Sequence, residues 1–119
     1  VALAGGAVTE AVARLHAGGA TIASVCTGAV FLAAAGLLQG RPAITHRGAI
    51  DFIREHGADV REEARVVDDG DIVSAGGVTS GLDLAFHLVE RFVDAETAER
   101  GAIRAEHDRR GPVVVTTAA

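Results

Sequence analysis

The sequence predicts an α/β fold, a mostly parallel sheet sandwiched by helices. Runs of strand length alternate with runs of helix length along its 119 residues. The 15 glycines fall at the boundaries between these runs, and 49% of residues are apolar, enough for one core of Ala, Val, Leu and Ile. Phe occurs four times, while Trp and Tyr are absent. One domain over residues 1–119 fits this length.

The elements follow in order. Val1–Ala4 reads as the end of a buried strand stopped by Gly5 and Gly6, and Thr9–His16 as a helix stopped by Gly18 and Gly19. Thr21–Val25 is a short apolar strand. Thr27–Leu38 is apolar on every side, as a deeply buried helix would be, and Gly40-Arg41-Pro42 breaks it. Ala43–Thr45 reads as a short strand and Arg47–His56 as a helix closed by Gly57. Arg65–Val67 and Asp71–Ser74 flank Asp68-Asp69-Gly70, a hairpin signal with glycine supplying the positive φ. Ser80–Val93 has the best helical period, with Leu82, Ala85, Phe86, Val89 and Phe92 as the expected inward stripe. Asp94–Arg109 reads as a polar helix, with Glu90, Arg91, Asp94, Glu96, Glu99 and Arg100 on a solvated face and His107 in solvent. Val113–Val115 is a short extended tail.

Several function classes are excluded at this level. A net charge of −5 argues against a nucleic-acid surface. A single cysteine excludes a disulfide framework and a cysteine-only zinc site. His16, His56 and His87 share no ligand spacing with an acid or the cysteine, so no metal is expected. No run nears the roughly 18 apolar residues of a membrane span, and no leader opens the chain, so a soluble, cytoplasmic protein is expected. The sequence contains no Met, so Val1 is not read as a natural start. With about three or four parallel strands where a doubly wound sheet usually has five or more, the N-terminal strands of the sheet are expected to be missing.

Ala23-Ser24-Val25-Cys26-Thr27-Gly28-Ala29 carries the chemistry. An apolar strand runs into Cys26 and a helix follows at once, with small residues two positions away on both sides, Ser24 and Gly28. This is the steric requirement of a nucleophile elbow, in which the chain turns too sharply for larger neighbours. A sulfur at a helix N-terminus faces free N–H groups that favour the reactive thiolate and can hold an anionic intermediate. The alternative is a buried cysteine acting as a small hydrophobe.

The stretch SVCTGA, followed by AAAGLL and GRPAITH and then by VSAGGVTSGLDLA, resembles the ThiJ/PfpI branch of the class I glutamine amidotransferase-like superfamily. Isonitrile hydratases and the sensor domains of AraC-type regulators are the nearest likenesses within it. The resemblance runs from about Gly5 to Pro112. It implies a flavodoxin-like sheet, of which this chain would be the C-terminal two-thirds of the domain, in a homodimer. It also implies Cys26 as nucleophile, with the Thr27 N–H and hydroxyl facing the substrate and His46 of the Thr-His pair as a proton carrier. Gly5 and Gly6 correspond to an oxyanion-hole loop, although Ala4 stands in place of its proline. Gly28, Gly76, Gly77, Val78 and Thr79 border the substrate pocket in the same comparison. The family also places a carboxylate near the first strand, upstream of the elbow, and no acid in residues 1–25 matches it. Glu10 lies on the wrong helix.

The Gly76-Gly77 loop lacks the lysine of a phosphate-binding loop, so nucleotide binding is not expected. Thr79 or Ser80 is read as the cap of the following helix, with Asp83 in its first turn. The expected reaction is thiol addition to a small electrophile: an isonitrile is attacked at its terminal carbon, a thioimidate forms, and water releases an N-substituted formamide. It calls for no metal or organic cofactor. The alternatives are a ligand-sensing domain without turnover, which could not bind DNA through this chain alone, and a redox- or glyoxal-responsive protein acting through the same sulfur.

Overall fold

The computed structural model describes residues 6–116. The strand expected at Val1–Ala4, and Gly5 with it, lie outside the described residues. Helix α1 (Ala7–Ala17) leads into β1 (Ile22–Ser24), and a 3-10 turn, Cys26–Gly28, joins β1 to α2 (Ala29–Ala34). After β2 (Pro42–Ala43), a second 3-10 turn, Arg47–Ala49, runs into α3 (Ile50–Glu55) and β3 (Asp59–Val60). The chain continues through β4 (Val66–Asp68), β5 (Ile72–Ala75), α4 (Ser80–Phe92), α5 (Ala95–Arg104) and β6 (Val113–Val115).

Four strands form the main sheet in the order β1-β5-β4-β6. β1 and β5 pair in parallel, as do β4 and β6, while β4 and β5 form the expected antiparallel hairpin. Gly70 turns that hairpin at φ +86, a conformation glycine adopts without steric cost. β2 and β3 form a separate parallel pair. β5 and β4 are the two inner strands, and β5 carries small and branched residues buried on both faces. Against one face pack Ile22, Leu32, Ala33, Leu38, Ile53 and Ile72; Val66, Val73, Ala75 and Leu84 form a second cluster beneath α4. No helix among the described residues is long and apolar enough to cross a membrane.

Three helices depart from expectation. The helix expected over Thr27–Leu38 is helical only at Ala29–Ala34, because Gly36 takes φ +79 and closes the turn with its N–H on Ala33 O. Leu38 is nonetheless fully buried. The helix expected to reach Arg109 ends at Arg104, where Glu106 at φ +53 reverses the chain and His107 N–H returns to Ala102 O.

The third departure is in α4. Leu82, Ala85 and Phe92 of the expected stripe are exposed, and Phe86 and Val89 are only partly covered. The buried residues are Ser80, Asp83, Leu84 and His87. Asp83 can face inward because its carboxylate is fully partnered. It accepts from Arg65 Nε and Nη2 at 3.0 and 2.8 Å, from Arg110 N at 2.7 Å, and bonds His107 Nε2 at 2.9 Å. Burial opposes ionisation of this carboxyl, and the Arg110 N–H, His107 and Arg65 outweigh it and hold the pKa below the ordinary range. His107 is therefore docked, not solvated, and it also stacks on Phe86 with ring centroids 5.9 Å apart. Arg91, likewise expected in solvent, reaches Asp68 at 3.2 Å.

Candidate active site

β1 ends at Ser24, Val25 is extended at φ −130 and ψ 141, and Cys26 then takes φ +60. A side chain in this left-handed region costs roughly 1–2 kcal/mol, so the turn needs outside support. The neighbouring loops supply it. The Cys26 N–H donates to Gly76 O at 2.8 Å, and the Cys26 carbonyl accepts from Thr45 Oγ1 at 2.7 Å and from His46 N at 3.0 Å. Gly28 N–H closes the turn on Val25 O at 3.0 Å. A β-carbon placed on Gly28 would stand 3.7 Å from Ser24 Cβ, so the two small residues face each other across the elbow. Cys26 is half-buried and unpaired with any other cysteine, and Thr27 is exposed.

The Thr45-His46 segment and the glycine loop thus meet the cysteine through its main chain. The Nδ1 of His46 accepts from Gly48 N–H at 3.0 Å. In this geometry the neutral ring carries its proton on Nε2. A β-carbon on Gly77 would lie 3.9 Å from His46 Cδ2, and one on Gly76 would lie 3.7 Å from both Thr45 O and Ser80 Oγ. Thr45, His46, Arg47, Gly76, Gly77 and Ser80 share in lining a cavity of about 290 Å3 that Thr79 and Arg65 also border. The Cys26 side chain is not among the cavity's lining groups. Val78 is 76% exposed and does not line this cavity. Thr79 occupies the N-cap position of α4, but no side chain caps this helix, contrary to expectation; its hydroxyl accepts from Arg65 Nη2 at 3.4 Å.

Of the residues named from sequence, the structure gathers Cys26, Thr27, Gly28, His46, Gly76 and Gly77 around one turn. Thr79 borders the adjoining cavity, and among the described residues no contact brings Val78 to it. Gly6 is elsewhere employed: it begins α1 and its carbonyl accepts from Glu10 N–H at 2.9 Å. Among the described residues no hydrogen bond links it to the elbow.

A family model for the DJ-1/PfpI family matches residues 3–91. The chain belongs to the DJ-1/PfpI family. It is 41% identical over 86 residues to an isonitrile hydratase of Pseudomonas putida, a match covering 72% of this chain and 37% of that protein. It is 39% identical over 85 residues to the HTH-type transcriptional regulator CdhR of Pseudomonas aeruginosa, covering 70% of this chain and 25% of the regulator. A crystal structure of a ThiJ/PfpI family protein from Pseudomonas syringae superposes with a TM-score of 0.67 at 40% identity, over 76% of this chain and 37% of that one. The chain therefore spans well under half the length of these DJ-1/PfpI relatives.

Three contributors to this DJ-1/PfpI site were not singled out from sequence. Thr45, 2% exposed, clamps the Cys26 carbonyl; a buried threonine beside a histidine is too common a pair to stand out alone. A β-carbon on Gly81 would approach Val25 Cγ1 to 2.9 Å, so glycine here lets α4 dock against the residue before the cysteine. The Ser80 hydroxyl, on a residue 4% exposed, has no bonded partner among the described residues. Ordinary helix-capping logic had already accounted for serine at that position.

Proposed function

We propose that this chain carries a thiol-dependent active site in which Cys26 attacks a small electrophile, an isonitrile, and converts it to an N-substituted formamide. The observation that carries this reading is the left-handed cysteine at a strand-to-helix turn, clamped at its N–H by Gly76 and at its carbonyl by Thr45 and His46. Identity of 41% to an isonitrile hydratase supports the choice of substrate class.

In the proposed reaction the thiol adds across the terminal carbon of R–N≡C. The sulfur bonds that carbon, and a proton added to the same carbon gives the thioimidate R–N=CH–S–enzyme. Water then adds across the C=N bond, its hydroxyl to carbon and its proton to nitrogen. Collapse of that adduct expels the thiol with its proton restored and releases R–NH–CHO. Splitting one difficult hydration into two additions is the gain of nucleophilic catalysis. His46, with its proton on Nε2, is the proposed carrier of these protons, and the N–H of Thr27 a proposed donor to the developing anion.

The test is formamide production from cyclohexyl isocyanide, followed by mass spectrometry, in the native chain and in Cys26→Ser. The native chain is expected to form product, and the variant to lose at least about a thousandfold in rate. Turnover that survives in Cys26→Ser would overturn the reading. The 39% identity to a transcriptional regulator favours a second reading, in which the same site binds a ligand without turnover. A native chain whose Cys26 is alkylated by iodoacetamide but which forms no formamide would support it.

A further inference from the structure

We infer that the cavity beside Cys26 is an anion subsite, and that the substrate carries a carboxylate in addition to its electrophilic carbon. The inference rests on the thiol reading above and adds to it a class of substrate.

Three observations converge on this space. Arg47 borders the cavity, is exposed, and has no carboxylate partner among the described residues. The other charged groups on the wall are already engaged: Glu62 with Arg54 at 3.2 Å, and Arg65 with Asp83 at 2.8 Å. Arg47 is thus the uncompensated charge. Ser80 also borders the cavity; it is 96% buried, since 4% of it is exposed, yet its hydroxyl has no bonded partner among the described residues. This hydroxyl is not sealed in the core, where Ser24 Oγ is the one buried side-chain polar atom without a partner among the described residues, so it is open to a ligand oxygen in the cavity.

The third observation is the start of α4, a helix of 13 residues. The N–H groups of Gly77, Val78 and Thr79 before it have no acceptor among the described residues. Gly76 and Gly77 leave the backbone bare to an approaching ligand. Free N–H groups and the positive end of a helix dipole favour an anion. An arginine fork and a hydroxyl match the two oxygens of a carboxylate.

The test compares alkylation of Cys26 by iodoacetate and by iodoacetamide, two reagents that form the same S–CH2 bond and expel the same iodide but differ in charge. A chain of net charge −5 should repel iodoacetate overall, so any preference for it must arise locally. The ratio of iodoacetate to iodoacetamide rate constants is expected to exceed that of N-acetylcysteine by about tenfold. Arg47→Gln and Ser80→Ala should each lower the ratio at least about threefold, and Arg47→Lys should retain most of it. Arg100→Gln, the same charge change on the far helix α5, should leave the ratio unaltered. A ratio no higher than that of N-acetylcysteine, or one lowered equally by Arg100→Gln, would overturn the subsite while leaving the thiol reading intact. Failure of both reagents to alkylate Cys26 would instead remove the thiol reading and the subsite with it.

Discussion

The two ends of the main sheet are built on opposite principles. At the hairpin end the three carboxylates of residues 68–71 are saturated with partners. Asp68 bonds His87 Nε2 at 2.7 Å and accepts from Gly70 N–H and Arg91. Asp69 accepts from Arg41 Nε at 2.6 Å and from Thr116 Oγ1 at 2.8 Å. Asp71 is held by Arg41 and by His16 at 2.7 Å. At the cysteine end polar side chains are left open among the described residues: the Ser24 hydroxyl is buried without a partner, the Ser80 hydroxyl and the Arg47 side chain have none, and Cys26 is strained. One end holds the fold together. The other leaves donors unpaired within the described chain, at a cost in stability.

The comparison breaks first at Asp68. Asp68→Ala leaves His87 buried without its acceptor and frees Arg91, and losing one partner of a buried pair costs about 3 kcal/mol. Thermal unfolding should register that loss as a fall in Tm on the order of 10 °C, while the iodoacetamide rate at Cys26 in the folded variant stays within about twofold. A variant whose cysteine reactivity falls in step with its stability would show that the two ends are not separable.

Acid separates them next. Arg41 first, then His16, hold the Asp71 carboxyl at about 2 against the opposing effect of burial. Asp68 is also lowered, its burial outweighed by His87, Gly70 N–H and Arg91. A carboxyl whose pKa is lower folded than unfolded adds stability above its unfolded value, about 3.9, and loses it as pH falls through the folded value. Stability should therefore drop between pH 4 and pH 2. In Asp71→Asn part of that slope should vanish, by a modest amount because the side chain is half exposed and screened. An unchanged slope would mean that Asp71 is equally stabilised in the unfolded chain.

The cysteine end was far more legible in the sequence than the ion-paired end. Ser24-Val25-Cys26-Thr27-Gly28 announces its turn because the steric demand is local: the two small residues that meet across the elbow are four positions apart. Asp68-Asp69-Gly70 announced the hairpin for the same reason. The inward face of α4 was misread because apolar period alone cannot find a buried charge. What makes Asp83 and His87 acceptable inside comes from Arg65 and Asp68 at β4 and from His107 and Arg110 after α5, two stretches distant in sequence from each other. Likewise the fold-back at Glu106 that docks His107 uses positive φ without glycine, so no residue type marks it. Local constraints leave a signature in sequence, whereas long-range compensation does not.

Strain at Cys26 is the next test in size. Alanine keeps the β-carbon that makes φ +60 costly, while glycine removes it. Cys26→Gly should thus be more stable than Cys26→Ala by about 1 kcal/mol, measured by urea unfolding with equal m-values. Both variants lack the sulfur and both are expected to be inactive. Equal stability would mean that the left-handed turn relaxes once the thiol is gone, and that the sulfur, not the backbone clamp of Gly76, Thr45 and His46, sustains it.

The smallest expected effect is at Ser24. Its hydroxyl lies buried in β1 with no partner among the described residues, and its β-carbon faces Gly28 across the elbow. Replacing an unbonded buried hydroxyl with hydrogen removes a desolvation cost and leaves little empty volume. Ser24→Ala should accordingly be neutral or more stable by up to about 1 kcal/mol, whereas most buried substitutions destabilise. The sign is the informative part. A clear loss of stability would mean that this hydroxyl is already satisfied and belongs with the saturated carboxylates at the hairpin. A gain accompanied by slower alkylation of Cys26 would mean that the open donors at this end are held open for the chemistry of the thiol.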